Sequence, residues 1–104
     1  MKVINISKTK LYDIYVGRGS IYGNPYKLTT GTIKDRNKVL DEYEPYVFSN
    51  LEILSNIKEL RGLILGCHCA PLRCHADYLA KLANNSKFFY EEQIKYFGFI
   101  IFDF

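Results

Sequence analysis

Three consecutive aliphatic residues, Leu63-Ile64-Leu65, stand between Gly62 and Gly66, and Cys67 follows directly. A short unbroken apolar run has no polar face to offer solvent, so it reads as a central strand buried on both sides. Such a strand needs neighbours. Residues 2–6, Lys-Val-Ile-Asn-Ile, alternate as a strand does, and Tyr12-Asp13-Ile14-Tyr15-Val16 is rich in β-formers.

The stretches between and after these strands read as helices. Thr32 has the chemistry of an N-cap, with Asp35 three residues on. Behind it Ile33, Val39, Leu40, Tyr43, Val47 and Leu51 keep helical spacing, and Pro45 is expected to kink or split the helix. Residues 52–60 read as a second helical piece, with Ile53, Ile57 and Leu60 on its apolar side. His75–Asn84 reads as a third, ended by Asn84-Asn85-Ser86. The tail predicts a short helix from Glu91 to Tyr96 and a strand from Phe97 to Phe102. That strand is too apolar for an exposed edge, so it is expected to pair into the sheet or to form a homodimer seam. Strands mixed with helices predict a small three-layer α/β sandwich, Rossmann-like, with a mixed or parallel central sheet.

The 104 residues suffice for one domain, 1–104, and are too few for two. With 48% hydrophobic and 24% charged residues the composition is globular, without a disordered block. Net charge is +3, and the bases are scattered rather than clustered, which argues against direct nucleic-acid binding. The first 34 residues differ from the rest: they hold six Lys or Arg and one acid, Asp13. An electropositive face built there suits a small anion better than a long polyanion. Val3, Ile4 and Ile6 are too few apolar residues for a signal peptide, and no apolar run is long enough to span a membrane. The three Cys fall within eight residues, Cys67 to Cys74. A secreted disulfide scaffold would spread an even number along the chain, so a local thiol site in a reducing cytoplasm is expected.

Two loops carry the chemistry. The first is Gly17-Arg18-Gly19-Ser20-Ile21-Tyr22-Gly23-Asn24-Pro25. Glycines two apart after a strand can turn several N–H groups toward one point and form an anion nest. Arg18 adds a fork of donors suited to phosphate or carboxylate, Ser20 a hydroxyl, and Asn24 an amide held before proline. The bland alternative is a tight turn with a solvent-facing Arg. The dinucleotide fingerprint is not met: Gly17-x-Gly19-x-x-x-Gly23 is one residue too long, and no helix opens after it.

The second loop is Gly66-Cys67-His68-Cys69-Ala70-Pro71-Leu72-Arg73-Cys74-His75-Ala76-Asp77. It lies between the buried strand and a helix, where open α/β sheets bind ligands and where a helix N-terminus favours anions and thiolates. Several readings compete. Cys67, Cys69, Cys74 and His75 are four zinc-type ligands, but adjacent Cys74-His75 is cramped for one tetrahedral ion and no second knuckle is present, so no metal is expected. A disulfide from Cys74 to either earlier Cys is a second reading. Cys67 and Arg73 have the Cys-x5-Arg spacing of phosphatase loops, though the wrapping glycine is missing and Pro71 intrudes. Small packed cysteines are a fourth, and a ligand-binding or catalytic thiol a fifth.

Taken together, Tyr15-Val16-Gly17-Arg18-Gly19-Ser20-Ile21-Tyr22-Gly23-Asn24-Pro25-Tyr26 and Leu65-Gly66-Cys67-His68-Cys69-Ala70-Pro71-Leu72-Arg73-Cys74-His75-Ala76-Asp77-Tyr78-Leu79 resemble the family known as domain of unknown function 4326. That family consists of small proteins of bacteria and their viruses. The resemblance covers about residues 12–84 and stops short of the aromatic extension 86–104. It implies that both motifs meet in one pocket. It supplies no activity, and it disfavours the phosphatase reading because the family pattern leaves the position of Arg73 open. Ala76 departs from the commoner Gly.

These observations lead to one expectation. The chain recognises, and in one version processes, a small anionic ligand such as a nucleotide or nucleotide derivative. Arg18 and the amides around Gly17, Gly19 and Ser20 would hold phosphate, and Asn24 would orient the ligand. Cys67, Cys69, Cys74, His75 and Asp77 would line the opposite wall, with Cys as nucleophile and His as base if there is turnover. The alternative is a zinc- or disulfide-stabilised interaction module without catalysis.

Overall fold

The computed structural model describes residues 2–7, 9–26, 30–68 and 73–103. Three strands form one parallel sheet: β1 (Lys2–Asn5), β2 (Ile14–Tyr15) and β3 (Ile64–Cys67), in the order β1-β3-β2. The predicted strand lies in the centre, but it is shifted to Ile64–Cys67, and Leu63 and Ile64 are half-buried rather than covered on both faces. Val3 pairs with Leu65, Asn5 with Cys67, and Tyr15 with Gly66. Both outer strands are shorter than the sequence predicts. Asp13 bonds across to Ile64 through its backbone N–H and its carboxylate, at 2.9 and 2.7 Å, without extending the ladder.

Side chains of β3 alternate between two environments. Leu65 and Cys67 are fully buried in the helical core, where α3 (His75–Asn84) packs against β1 and β3. On the opposite side Gly66 lies under Ile6 and Tyr12; a Cβ there would stand 2.7 Å from Ile6 Cγ2. What the described residues establish is an α/β arrangement of four helices with a small three-stranded parallel sheet.

Helix α1 (Ile33–Ser49) begins where expected, with the Thr32 hydroxyl accepting from the Asp35 N–H at 3.1 Å. It is not split at Pro45, which lies inside the continuous helix. Pro45 and Asp41, whose carbonyl loses its partner, are both exposed, so water can take that bond. The break comes five residues later. Asn50 ends α1 and its side chain accepts from Glu52 and Ile53 to start α2 (Leu51–Asn56), which tightens into a 3-10 turn over Ile57–Leu60.

The tail is the larger correction. Helix α4 (Ser86–Phe97) starts at once after α3, because Asn85 both terminates α3 and caps α4 by accepting from the Phe88 N–H at 3.0 Å. Residues 99–103 form no strand. Instead the buried Gln93 amide does what a strand edge would do. Its Oε1 accepts from the N–H groups of Ile101 and Phe102, and its Nε2 donates to the Phe102 carbonyl, at 2.7–2.9 Å. One side chain thereby satisfies the backbone that the apolar pattern assigned to the sheet.

Candidate functional site

Parallel strands deliver the segments that follow them to one edge, here the carboxyl edge. Both motif loops leave from it, and the Asn5 amide donates across the strand ends to the His68 carbonyl at 3.2 Å.

The loop after β2 is held by its own backbone. Ser20 donates to the Gly17 carbonyl twice, from N–H at 3.1 Å and from its hydroxyl at 2.6 Å, and Gly23 N–H donates to the Ser20 carbonyl at 3.1 Å. Gly19 has φ +97°, a region open to glycine at no steric cost. Gly23 closes the ring so tightly that a Cβ would lie 2.9 Å from the Gly17 oxygen and 3.1 Å from Arg18 Cα. Tyr22 inserts its ring into the core, and its carbonyl accepts from the Tyr43 hydroxyl at 2.6 Å. Burial pushes the Tyr43 hydroxyl far above its ordinary range, so it remains a protonated donor. Asn24 donates to the Val39 carbonyl of α1 at 3.1 Å and accepts from the Tyr26 N–H at 2.9 Å. Arg18, above these anchors, stays exposed.

The Cys/His segment is built the other way. Cys67, at the end of β3, and Cys74, at the N-cap of α3, are buried with sulfurs 3.1 Å apart, a contact rather than a bond of about 2.05 Å. Cys74 Sγ accepts from the Ala76 N–H at 3.5 Å, and the Asp77 carboxylate reaches back to the Cys74 N–H at 3.0 Å, which completes a capping box. His75 Nε2 lies 2.6 Å from the Val16 carbonyl. A carbonyl can only accept, so Nε2 carries the hydrogen, leaving Nδ1 to face Cys74 Sγ at 3.5 Å. The Tyr43 ring meets the His75 ring edge to face, 5.1 Å between centroids. His75 and Tyr43 therefore grip the loop after β2 at two carbonyls, those of Val16 and Tyr22. Cys69 lies outside the described residues, and so does any pairing it makes. Among the described residues no three His, Cys, Asp or Glu are arranged to hold a metal ion.

A cavity of about 190 Å³ opens at this edge. Gly17, Arg18, Asn24 and Tyr26 line it from the first loop, and His68 and His75 from the second. Helix α1 contributes Arg36, Val39 and Leu40. On the far side of His75 and Leu40 lies a second depression of about 400 Å³, bordered by Cys74, Asp77, Glu44 and Glu92. The expected site residues are thus divided. Gly17, Arg18, Asn24 and His75 share the first cavity; Cys74 and Asp77 border the second; Gly19, Ser20 and Cys67 line neither. Arg73 is bound to α1, 3.0 Å from Asp41 and 3.2 Å from Asn37, and does not converge with Cys67 as a phosphatase loop would require. Burial and the charge of Glu92 raise the Glu44 carboxyl above its usual value.

Sequence reasoning passed over Arg36, Tyr26 and His68. Arg36 had a usable signal, since Arg36, Val39 and Leu40 fall at i, i+3 and i+4 on one helix face. Tyr26 closes the first motif, and His68 sits between two of its cysteines.

Fold and site define a small α/β domain whose two motif loops meet at the carboxyl edge of a parallel sheet. The chain belongs to the family described as Domain of unknown function (DUF4326), whose model matches residues 4–85. The match begins in β1, earlier than the motifs alone suggest, and ends before α4. A relative from Enterobacteria phage T4, described as an uncharacterized 12.4 kDa protein in the nrdA-td intergenic region, is 26% identical over 87 residues, covering 80% of this chain and 77% of its own. No solved structure matches the chain. No helix among the described residues is long and apolar enough to cross a membrane.

Proposed function

We propose that this domain binds a small anionic ligand, a nucleotide or nucleotide derivative, in the cavity between its two motif loops. One observation carries the reading: residues of both loops line one cavity, and its described lining holds two Arg and two His and no carboxylate. Two Arg without a carboxylate among the described lining residues favour an anion, and the cavity opens at the sheet edge where α/β folds bind ligands. Val39, Leu40 and the Tyr26 ring give it an apolar side for the uncharged part of the ligand. Binding is favoured over catalysis by Cys67 or Cys74, because the sulfurs of both are buried and neither residue lines the cavity.

The test is mass spectrometry of small molecules released from natively purified protein, paired with thermal shift against a nucleotide panel. A ligand at a hundredfold its Kd should stabilise the fold by about 2.7 kcal/mol, several degrees in a domain of this size. Protein that releases no anion and is shifted by no phosphorylated compound would refute the proposal.

A further inference from the structure

We infer that Arg36 and Arg18 act as a two-guanidinium clamp, and that the group they hold is a phosphomonoester dianion rather than a carboxylate. The inference rests on the anion-binding reading and names the class of anion. The two side chains come from different elements, the loop after β2 and the first turns of α1, and line the same cavity. Their spacing is set by structure: the Asn24 amide bonds the loop to the Val39 carbonyl, one turn along α1 from Arg36. Neither Arg has an ion-pair partner among the described residues. Arg73, outside the cavity, is by contrast met by Asp41 and Glu44.

Two Arg lining one cavity each gain from an anion held between them, and their mutual repulsion is offset by it. A carboxylate brings one charge and two oxygens, and it would leave one Arg uncompensated. A phosphomonoester near neutral pH brings close to two charges and three acceptor oxygens, enough for a fork from each side. Tyr26, Val39 and Leu40 then face the organic group that the phosphate carries.

Isothermal titration of the whole chain distinguishes the possibilities. The probes are a nucleoside 5′-monophosphate, a sugar phosphate, inorganic phosphate, the parent nucleoside and its 5′-carboxylate. The monophosphate should bind, with the nucleoside and the carboxylate each weaker by tenfold or more. Arg36→Gln and Arg18→Gln should each weaken the monophosphate by roughly tenfold to a hundredfold, and Arg36→Lys should recover part of the loss. If Arg36→Gln binds like the parent protein while Arg18→Gln does not, the clamp is wrong and the anion site stands. Equal binding of carboxylate and phosphate overturns the dianion assignment alone. If no probe binds the parent protein, the anion-binding reading fails with it. Should Arg36→Gln fold poorly, the carboxylate-to-phosphate ratio on the parent protein still decides. A sugar phosphate or inorganic phosphate binding as tightly as the nucleotide would assign the clamp to phosphate in general.

Discussion

The two motif loops meet at one edge, yet they spend their polar groups in opposite ways. In the loop after β2 the backbone holds the shape, through the Ser20 and Gly23 turns, and Arg18 is left exposed beside the cavity. In the Cys/His segment the side chains hold the shape. Cys74 and Asp77 cap α3, and His75 is bonded to Val16. On the proposed reading the first loop would supply Arg18 to the ligand, while the bonds made by Cys74, Asp77 and His75 serve the scaffold. Titratable side chains crowded into a short motif need not face a ligand, because the same residue types are good caps and good buried hydrogen-bond partners.

The comparison is most severely tested at His75. Its replacement by Ala would remove the bond to Val16, leave that carbonyl short of a partner, and open a hole beside the Tyr43 ring. The expected loss is about 2–4 kcal/mol in urea unfolding. A loss under about 0.5 kcal/mol, within the range of an ordinary surface change, would break the scaffold assignment. Tyr43→Phe should follow at about 1–3 kcal/mol, since it leaves the Tyr22 carbonyl unbonded. Because burial keeps the Tyr43 hydroxyl protonated, that loss should be the same across the working pH range. A loss that changed with pH in step with a tyrosine titration would contradict the buried donor.

The parts of this molecule legible from sequence are those fixed by local chemistry. The Thr32 cap, a central strand beginning in the run 63–65 and the helix His75–Asn84 all follow from caps and apolar spacing within a few residues, and the structure has them, the strand as Ile64–Cys67. What sequence could not show depended on distant partners. From sequence Pro45 predicts a kink or a split, and only the exposure of Asp41, invisible along the chain, shows that the helix can continue. The apolar pattern of residues 97–102 predicts a strand, because nothing in it reveals that Gln93 bonds Ile101 and Phe102. At the site, glycine spacing gave the first loop its shape. Whether His75 or Asp77 would turn toward a ligand or toward the backbone was decided by Val16 and Cys74, and Arg36 entered only because α1 lies against the loop.

The capping box offers a finer test. Asp77→Ala and Cys74→Ala should each destabilise by about 1 kcal/mol, the usual worth of an N-cap. Together they should lose less than the sum, because the two side chains cap one another's backbone. Denaturation midpoints of the two single variants and the double variant check this. Full additivity would mean that the reciprocal bonds are not formed, and that Asp77 is available for another role.

The smallest expected effect on stability is the most informative. Arg18 is exposed, its side chain has no ion-pair partner among the described residues, and the turns on either side of it are closed by Gly17, Ser20 and Gly23. The Tyr15 hydroxyl bonds to the Arg18 carbonyl, which any residue retains. Arg18→Ala should therefore change unfolding free energy by no more than about 0.5 kcal/mol. The same substitution removes a guanidinium from a cavity with no carboxylate among its described lining residues, so on the proposed reading it should weaken a nucleoside monophosphate by roughly tenfold to a hundredfold. The contrast with His75 is the measurement that matters: His75→Ala should cost much stability, whereas Arg18→Ala should cost much affinity and almost no stability. If Arg18→Ala lowers the melting temperature as His75→Ala does, the first loop is held by its side chains after all, and the division between contact and scaffold does not run between the two motifs.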